Sequence, residues 1–175
     1  MAMCWITRVS NFHSTGTLRF MSIDSRRPRI RIGDKFRELP SGEWFTVDPG
    51  TSIETDNFAV PWNMGKDQAL WVSWTVGQRM NKVQFDIIPI DAWDYLRIRD
   101  SEYREIRRDE VGSMGDASGS NYSYWKLVLH SDGTLGMYCD LRQGLTREGA
   151  EIFANTILKI LEIGGTIAAE VVKGG

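Results

Sequence analysis

Short segments in which apolar and polar residues alternate run through the first 140 residues, and they constrain the fold more than any other feature. Successive side chains of a β-strand point to opposite faces, so strict alternation predicts a strand with one buried face. Val83, Phe85 and Ile87, for example, alternate with polar residues. Gly, Pro, Asp and Asn separate the segments and predict turns. The predicted strands cover residues 5–9, 17–23, 29–32, 44–47, 70–76, 82–87, 95–99, 125–129 and 135–139.

The last two segments predict a hairpin, because Asp132-Gly133 lies between them. Asp-Gly favours a tight type I′ turn, in which both central residues need positive φ. Strands at this spacing favour an antiparallel β-sandwich or barrel over residues 1–141. The length suits a single domain over residues 1–175.

The pattern changes after residue 145 and predicts one long C-terminal amphipathic helix over residues 146–172. Polar residues recur there every three or four positions, which places them on a narrow stripe of an otherwise apolar helix. Gly164-Gly165 would end or bend this helix. The expected fold is therefore mainly β (α+β), with the helix packed on a sheet, paired with another helix or inserted in a membrane. The predicted stripe contains Glu148, Glu151, Asn155, Lys159, Glu162 and Glu170.

Charge and composition narrow the class of protein. The formal net charge is −2, so we expect no nucleic-acid partner. The N-terminus MAMCWITRVSNFH has no apolar run after a basic segment, and no stretch of eighteen apolar residues occurs. We therefore expect a soluble protein without a signal peptide, either cytoplasmic or released without a signal.

The residues that commonly carry catalysis or bind metals do not occur in the patterns typical of an enzyme. His13 and His130 have no partner at metal-ligand spacing, and Cys4 and Cys139 are too few for a structural zinc site. No nucleophile elbow or phosphate-binding loop occurs. We expect a non-enzymatic protein with no cofactor and no metal.

Aromatic residues are the first candidates for a binding surface, since the chain contains seven tryptophans and five tyrosines. They either fill the core of the sandwich or are displayed for sugars, lipid headgroups or a protein. The candidates for display are Trp62, Trp93, Tyr95, Tyr122 and Tyr124, with Phe58 in the same group.

A basic segment between residues 24 and 37 is the second candidate. Arg29 and Arg31 point the same way on the predicted strand, with Arg26, Arg27, Lys35 and Arg37 nearby. Such a stripe either binds anionic headgroups or glycans, or keeps an edge strand soluble.

Two short segments resemble known families. EGAEIFANTILKILEIGGTIAAEVVKGG at the C-terminus resembles the amphipathic pore-forming helix of actinoporins, which that family carries beside an aromatic-rich β-sandwich. STGTLRF at residues 14–20 resembles a sequence segment of fungal fruit-body lectins, whose β-sandwich is related to that of actinoporins. In actinoporins the helix precedes the sandwich, whereas here it follows. The resemblance implies a membrane- or glycan-binding, cytolysin-like toxin whose helix inserts or oligomerises, and it identifies no site residue.

A second resemblance leads to an alternative. Antiparallel strands followed by a C-terminal helix are also the order of a pleckstrin-homology-like barrel, which binds lipid headgroups or proteins. The alternative is therefore a soluble lectin-like, pleckstrin-homology-like or protein-binding module in which the helix is core or a dimer seam. The expected partners are membrane lipid headgroups or glycans, with a homo-oligomer as a further possibility.

Overall fold

The computed structural model describes residues 2–24, 26–65, 67–113, 122–143, 145–146, 149–150, 156–163 and 165–173. The fold is mainly β, with 68% strand. The strands of the described residues are β1 (Met3–Asn11), β2 (Thr17–Ile23), β3 (Arg29–Ile32), β4 (Lys35–Glu38), β5 (Phe45–Val47), β6 (Ser52–Asp56), β7 (Ala69–Val76), β8 (Arg79–Ile90), β9 (Trp93–Asp100), β10 (Glu105–Ser113), β11 (Tyr122–Leu129), β12 (Leu135–Gln143), β13 (Leu145–Thr146), β14 (Gly149–Ala150), β15 (Thr156–Ile163) and β16 (Thr166–Lys173).

Two large sheets contain most of these strands. The eight-stranded sheet has the order β16-β15-β12-β11-β1-β6-β3-β4, and the six-stranded sheet has the order β10-β9-β8-β7-β2-β5. Strands β13 and β14 form a separate two-stranded ribbon. Buried apolar side chains of both large sheets form one hydrophobic cluster, so the sheets face each other as in a β-sandwich.

Alternation along strands such as β2 and β9 separates this core from the outer faces. In β9, Asp94, Leu96 and Ile98 are buried, while Tyr95 and Arg97 on the opposite face are half-buried. Burying one large apolar side chain stabilises the folded state by roughly 1.5–3 kcal/mol. The nine predicted segments all lie on strands, with residue 44 just before the start of β5.

The pairing of β1 with β11 differs from the predicted antiparallel arrangement. These two strands are parallel, with Met3 opposite Tyr122 and Trp5 opposite Tyr124. A parallel pair needs a long crossover between its strands. Here most of the chain lies between them, and local alternation carries no information about so distant a partner.

The turn between β11 and β12 also differs from the predicted type I′ turn. It spans residues 130–134, and the Gly133 N–H donates to the carbonyl of His130 at 3.0 Å. Gly133 has a φ of 88°, whereas Asp132 is not among the residues with positive φ. The turn therefore uses glycine at one left-handed position. Asp132 instead accepts hydrogen bonds from the backbone N–H and the hydroxyl of Thr134 at 3.0 and 2.7 Å.

The prediction of a C-terminal helix is wrong. The described part of this segment forms β15 and β16, an antiparallel hairpin at the edge of the eight-stranded sheet. No helix occurs among the described residues of the chain. The segment that resembles the actinoporin helix is therefore strand over residues 156–163 and 166–173.

The composition of this segment explains why it forms strands and not a helix. Eight of the eighteen residues from 156 to 173 are β-branched, which favours strands over helices. Strand β15 ends at Ile163 and β16 begins at Thr166, and Gly165 before it has a φ of 87°. Gly-Gly between two β-branched runs is a signal for a two-residue hairpin turn.

The residues of the predicted helical stripe have other roles in the hairpin. Lys159 and Glu170 lie directly opposite each other on β15 and β16. Glu162 accepts a hydrogen bond from the Gly165 N–H at 2.7 Å and forms an ion pair with Arg79 of β8 at 2.5 Å. This ion pair links the two large sheets. The other three members, Glu148, Glu151 and Asn155, lie outside the described residues.

Substitutions in β15 test its two-residue periodicity. Ile160 is fully buried and Leu161 on the opposite face is half-buried. We expect Ile160→Ala to lower the free energy of unfolding by roughly 2–5 kcal/mol. Leu161→Ala should lower it by about 1 kcal/mol. Urea denaturation measures both values, and equal losses at the two positions would contradict this strand.

Candidate binding surfaces on the two sheets

The predicted binding residues fall on both sheets. Tyr122 and Tyr124 lie on β11, and Arg29 and Arg31 lie on β3, all within the eight-stranded sheet. Trp93 and Tyr95 are half-buried on β9 of the six-stranded sheet. They occupy the same face of β9 as Arg97 and Arg99, by the alternation of that strand. The predicted set is therefore divided between two surfaces.

Trp62 and Phe58, which the sequence suggested as aromatic residues displayed in a loop, make contacts within the fold. The indole N–H of Trp62 donates to the carbonyl of Ala2 at 2.8 Å, and Trp62 forms a bridge with Ile87 of β8. Phe58 is 1% exposed and packs against Phe20 with the ring centroids 5.4 Å apart. Both side chains are therefore held by contacts within the fold.

A cleft of about 500 Å³ lies beside β1 in the eight-stranded sheet, and we refer to it as the Trp5 cleft. Because β1 and β11 are in register, Trp5 lies directly beside Tyr124, whose ring is 5.4 Å from that of Tyr122. Polar groups line the same cleft. Its main lining residues are Trp5, Thr7, Arg29, Asp56, Asn57 and Tyr124.

Acidic residues of β6 neutralise the predicted basic stripe. Arg29 forms an ion pair with Asp56, and Arg31 forms one with Glu54 at 3.0 Å. Arg8 of β1 also contacts Glu54, at 3.5 Å. The hydrogen bond from Arg31 holds the pKa of Glu54 below its usual value, so this carboxylate is charged at neutral pH. The two predicted arginines are thus balanced by carboxylates of the neighbouring strand.

Arg26, which the sequence placed in the basic segment, contacts two tryptophans. Its guanidinium carbon lies 5.7 Å from the ring centroid of Trp5 and 5.8 Å from that of Trp62. It also donates to the sulfur of Met3 at 3.6 Å. Arg26 therefore lies between Trp5, which lines the cleft, and Trp62.

The outer face of the six-stranded sheet contains a buried ionic network. Asp86 has only 1% of its side chain exposed. Arg97 donates two hydrogen bonds to its carboxylate at 2.9 and 2.6 Å, and Asn63 donates a third at 3.1 Å. Arg99 contacts both Asp86 at 3.2 Å and the side-chain carbonyl of Gln84 at 2.8 Å. Hydrogen bonding to Asp86 raises the pKa of Arg97, which keeps this half-buried guanidinium charged.

Next to this network, two cations contact aromatic rings on the same sheet. Arg19 of β2 lies 5.0 Å from the ring centroid of Trp44, and the ammonium of Lys82 lies 5.3 Å from the same centroid. Lys82 also lies 4.6 Å from the centroid of Trp71. We call Arg19, Trp44, Trp71, Ser73 and Lys82 the Trp44 face. None of them was a predicted site residue, because their proximity depends on strand order.

The two histidines stabilise turns and local packing. The ring nitrogen Nδ1 of His13 accepts hydrogen bonds from the backbone N–H groups of Thr15 and Gly16 at 3.1 and 2.6 Å. His130 hydrogen-bonds to the hydroxyl of Tyr138. Burial raises the pKa of this phenol, and the nearby Asp132 carboxylate adds to the effect.

The described residues contain no group of three or more His, Cys, Asp or Glu side chains that could hold a metal ion. No helix in that part of the chain has the length and apolar character to span a membrane.

The Asp86 network gives a prediction for stability. Asp86→Ala leaves two largely buried arginines without their carboxylate, and we expect the free energy of unfolding to fall by roughly 3–5 kcal/mol. Glu54→Ala is the matched control, since Glu54 also contacts two arginines but is about half exposed. It should change stability little. Chemical denaturation of both variants measures the difference, and similar losses would contradict a special role of burial.

Comparisons with known proteins give no relative for this chain. No protein-family model matches it, and neither a curated protein nor a solved structure does so.

Proposed function

We propose that this protein is a non-enzymatic glycan-binding protein and that the Trp5 cleft holds the sugar. The observation that carries the proposal is the combination of Trp5 and Tyr124 with Arg29, Asp56 and Asn57 in one cleft of about 500 Å³. This volume suits a ligand of one or two sugar rings, since ligand sites commonly span roughly 300–1,000 Å³.

The aromatic side of the cleft suits the apolar face of a sugar ring. Trp5 is half-buried, and Tyr124 has 37% of its surface exposed. An aromatic ring held by its neighbours offers a flat surface to the C–H groups of a sugar at a small entropic cost. The parallel pairing of β1 and β11 holds these two residues side by side.

The polar side of the cleft suits sugar hydroxyls. The carboxylate of Asp56 accepts hydrogen bonds and the guanidinium of Arg29 donates them, and the two groups already orient each other as an ion pair. Hydrogen bonds that involve a charged group are stronger than neutral ones. Asn57 provides a donor and an acceptor, and its amide N–H contacts the carbonyl of Arg27 at 3.3 Å.

The charge balance of this surface favours a neutral glycan over an anionic lipid headgroup. Arg29 faces Asp56 and Arg31 faces Glu54, so these two cations are already paired, while the guanidinium of Arg26 lies against the rings of Trp5 and Trp62. A surface that attracts anionic lipids needs a cluster of several uncompensated basic residues rather than one.

Binding to a glycan array, followed by calorimetry with the strongest neutral oligosaccharide, tests this proposal. Tyr124→Ala should weaken binding roughly 3–10-fold, because it removes the stacking surface. Tyr124→Phe should retain most of the affinity, since it keeps the ring. Asp56→Asn should also weaken binding, because it removes the charged acceptor.

Tyr103→Ala is the matched control, since Tyr103 is an exposed tyrosine near Trp71 and Arg99 on the other sheet. It should leave glycan affinity unchanged. No binding to any neutral glycan would overturn the proposal. Binding only to phosphatidylserine-containing liposomes, and not to phosphatidylcholine liposomes or glycans, would replace it with the headgroup alternative.

A further inference from the structure

Strand register places two cations on either side of a serine on the outer face of the six-stranded sheet. Arg19 of β2 lies opposite Ser73 of β7, and Ser73 lies opposite Lys82 of β8. Neighbouring strands are roughly 4.8 Å apart, so the backbones of Arg19 and Lys82 are separated by about 10 Å. All three side chains lie on the same face, because directly opposite residues point the same way.

Both cationic groups of this row lie near the ring of Trp44. The guanidinium carbon of Arg19 is 5.0 Å and the ammonium of Lys82 is 5.3 Å from its centroid. Ser73 is 5% exposed, so its side chain lies beneath them at the floor of the Trp44 face.

Arg19 and Lys82 differ from the arginines that form ion pairs. Arg29, Arg31, Arg97 and Arg99 each contact a carboxylate. Within the described residues, neither Arg19 nor Lys82 has a carboxylate oxygen within 4.0 Å. Contact with an aromatic face orients a cation but leaves its charge in place.

The surrounding face is positive although the chain as a whole has a net charge of −2. The outward-facing charged residues of β2, β7, β8 and β9 include four cations and one carboxylate. They are Arg19, Lys82, Arg97, Arg99 and Asp86. Like charges on one face repel each other, and a bound anion reduces that repulsion.

We propose that the Trp44 face is a second binding site, which takes a tetrahedral oxyanion in the form of a sulfate or phosphate ester. The guanidinium of Arg19 and the ammonium of Lys82 donate charge-assisted hydrogen bonds to the oxyanion. The ring of Trp44, which is half-buried, contacts the organic group that carries the ester. Binding at this site requires no covalent change.

Titration of the isotopically labelled full-length chain, followed by NMR through the indole N–H of Trp44, tests this site. The probes are sodium sulfate and sodium phosphate, each compared with sodium chloride at equal ionic strength. We expect saturable shifts with a dissociation constant of roughly 1–10 mM for at least one oxyanion and none for chloride. Glucose 6-sulfate and glucose 6-phosphate then distinguish the two kinds of ester, and the preferred one should bind more tightly than its free ion.

Variants separate a specific site from general electrostatic attraction. Arg19→Gln and Lys82→Gln should each weaken binding at least roughly tenfold. Lys82→Arg should retain it, because the charge and the donors remain. Lys35→Gln, which removes an exposed cation from the other sheet, is the control and should change nothing. Shifts that follow ionic strength alone, or that persist unchanged when both cations are replaced, would overturn the proposal.

This site is independent of the Trp5 cleft, which lies on the other sheet. Tyr124→Ala should therefore leave oxyanion binding intact. Failure at one site leaves the other proposal standing.

Discussion

The pairing of β1 is the constraint on which the larger sheet depends. β1 lies between β11 and β6, and in the described sheet no other strand joins the two halves. Its parallel ladder with β11 places Trp5 beside Tyr124, and its antiparallel ladder with β6 places Arg8 opposite Glu54. The Trp5 cleft is therefore assembled from residues of four strands, β1, β3, β6 and β11, and it can form only when β1 pairs with both of its neighbours.

The strands before residue 140 follow from local periodicity, because their buried and exposed faces alternate with little ambiguity. The C-terminal segment is ambiguous, since its polar residues also recur at helical spacing. Two local signals favoured strands there: the β-branched residues and the Gly164-Gly165 pair. In the hairpin, Lys159 faces Glu170 across the ladder, and the buried Leu158 and Ile160 supply the core contact that a single helical face would otherwise provide. Tertiary packing against β12 decides between the two patterns.

The residues of the candidate sites could be predicted from the sequence less completely than the strands. Tyr124 and Arg29 were identified by type and approximate exposure. Trp5 was overlooked because it appears only as the first residue of an alternating segment. The neutralisation of Arg29 by Asp56 depends on the pairing of β3 with β6, which no local pattern specifies. Strand order, rather than residue type, is the missing information in each case.

The cations assigned to the two proposed sites differ in their partners, and this difference separates the sites. On the eight-stranded sheet, β6 supplies Glu54 and Asp56, so arginine is available for directional hydrogen bonding without a strong local field. On the six-stranded sheet, the buried carboxylate of Asp86 pairs with Arg97 and Arg99. Its hydrogen-bonding oxygens are thus occupied by these two arginines. Arg19 and Lys82 have only aromatic partners among the described residues. A hydrogen-bonding cleft is suited to neutral hydroxyls, whereas cations held by aromatic rings retain their attraction for an anion. The same residue types thus favour different ligands because the neighbouring strands differ in carboxylate content.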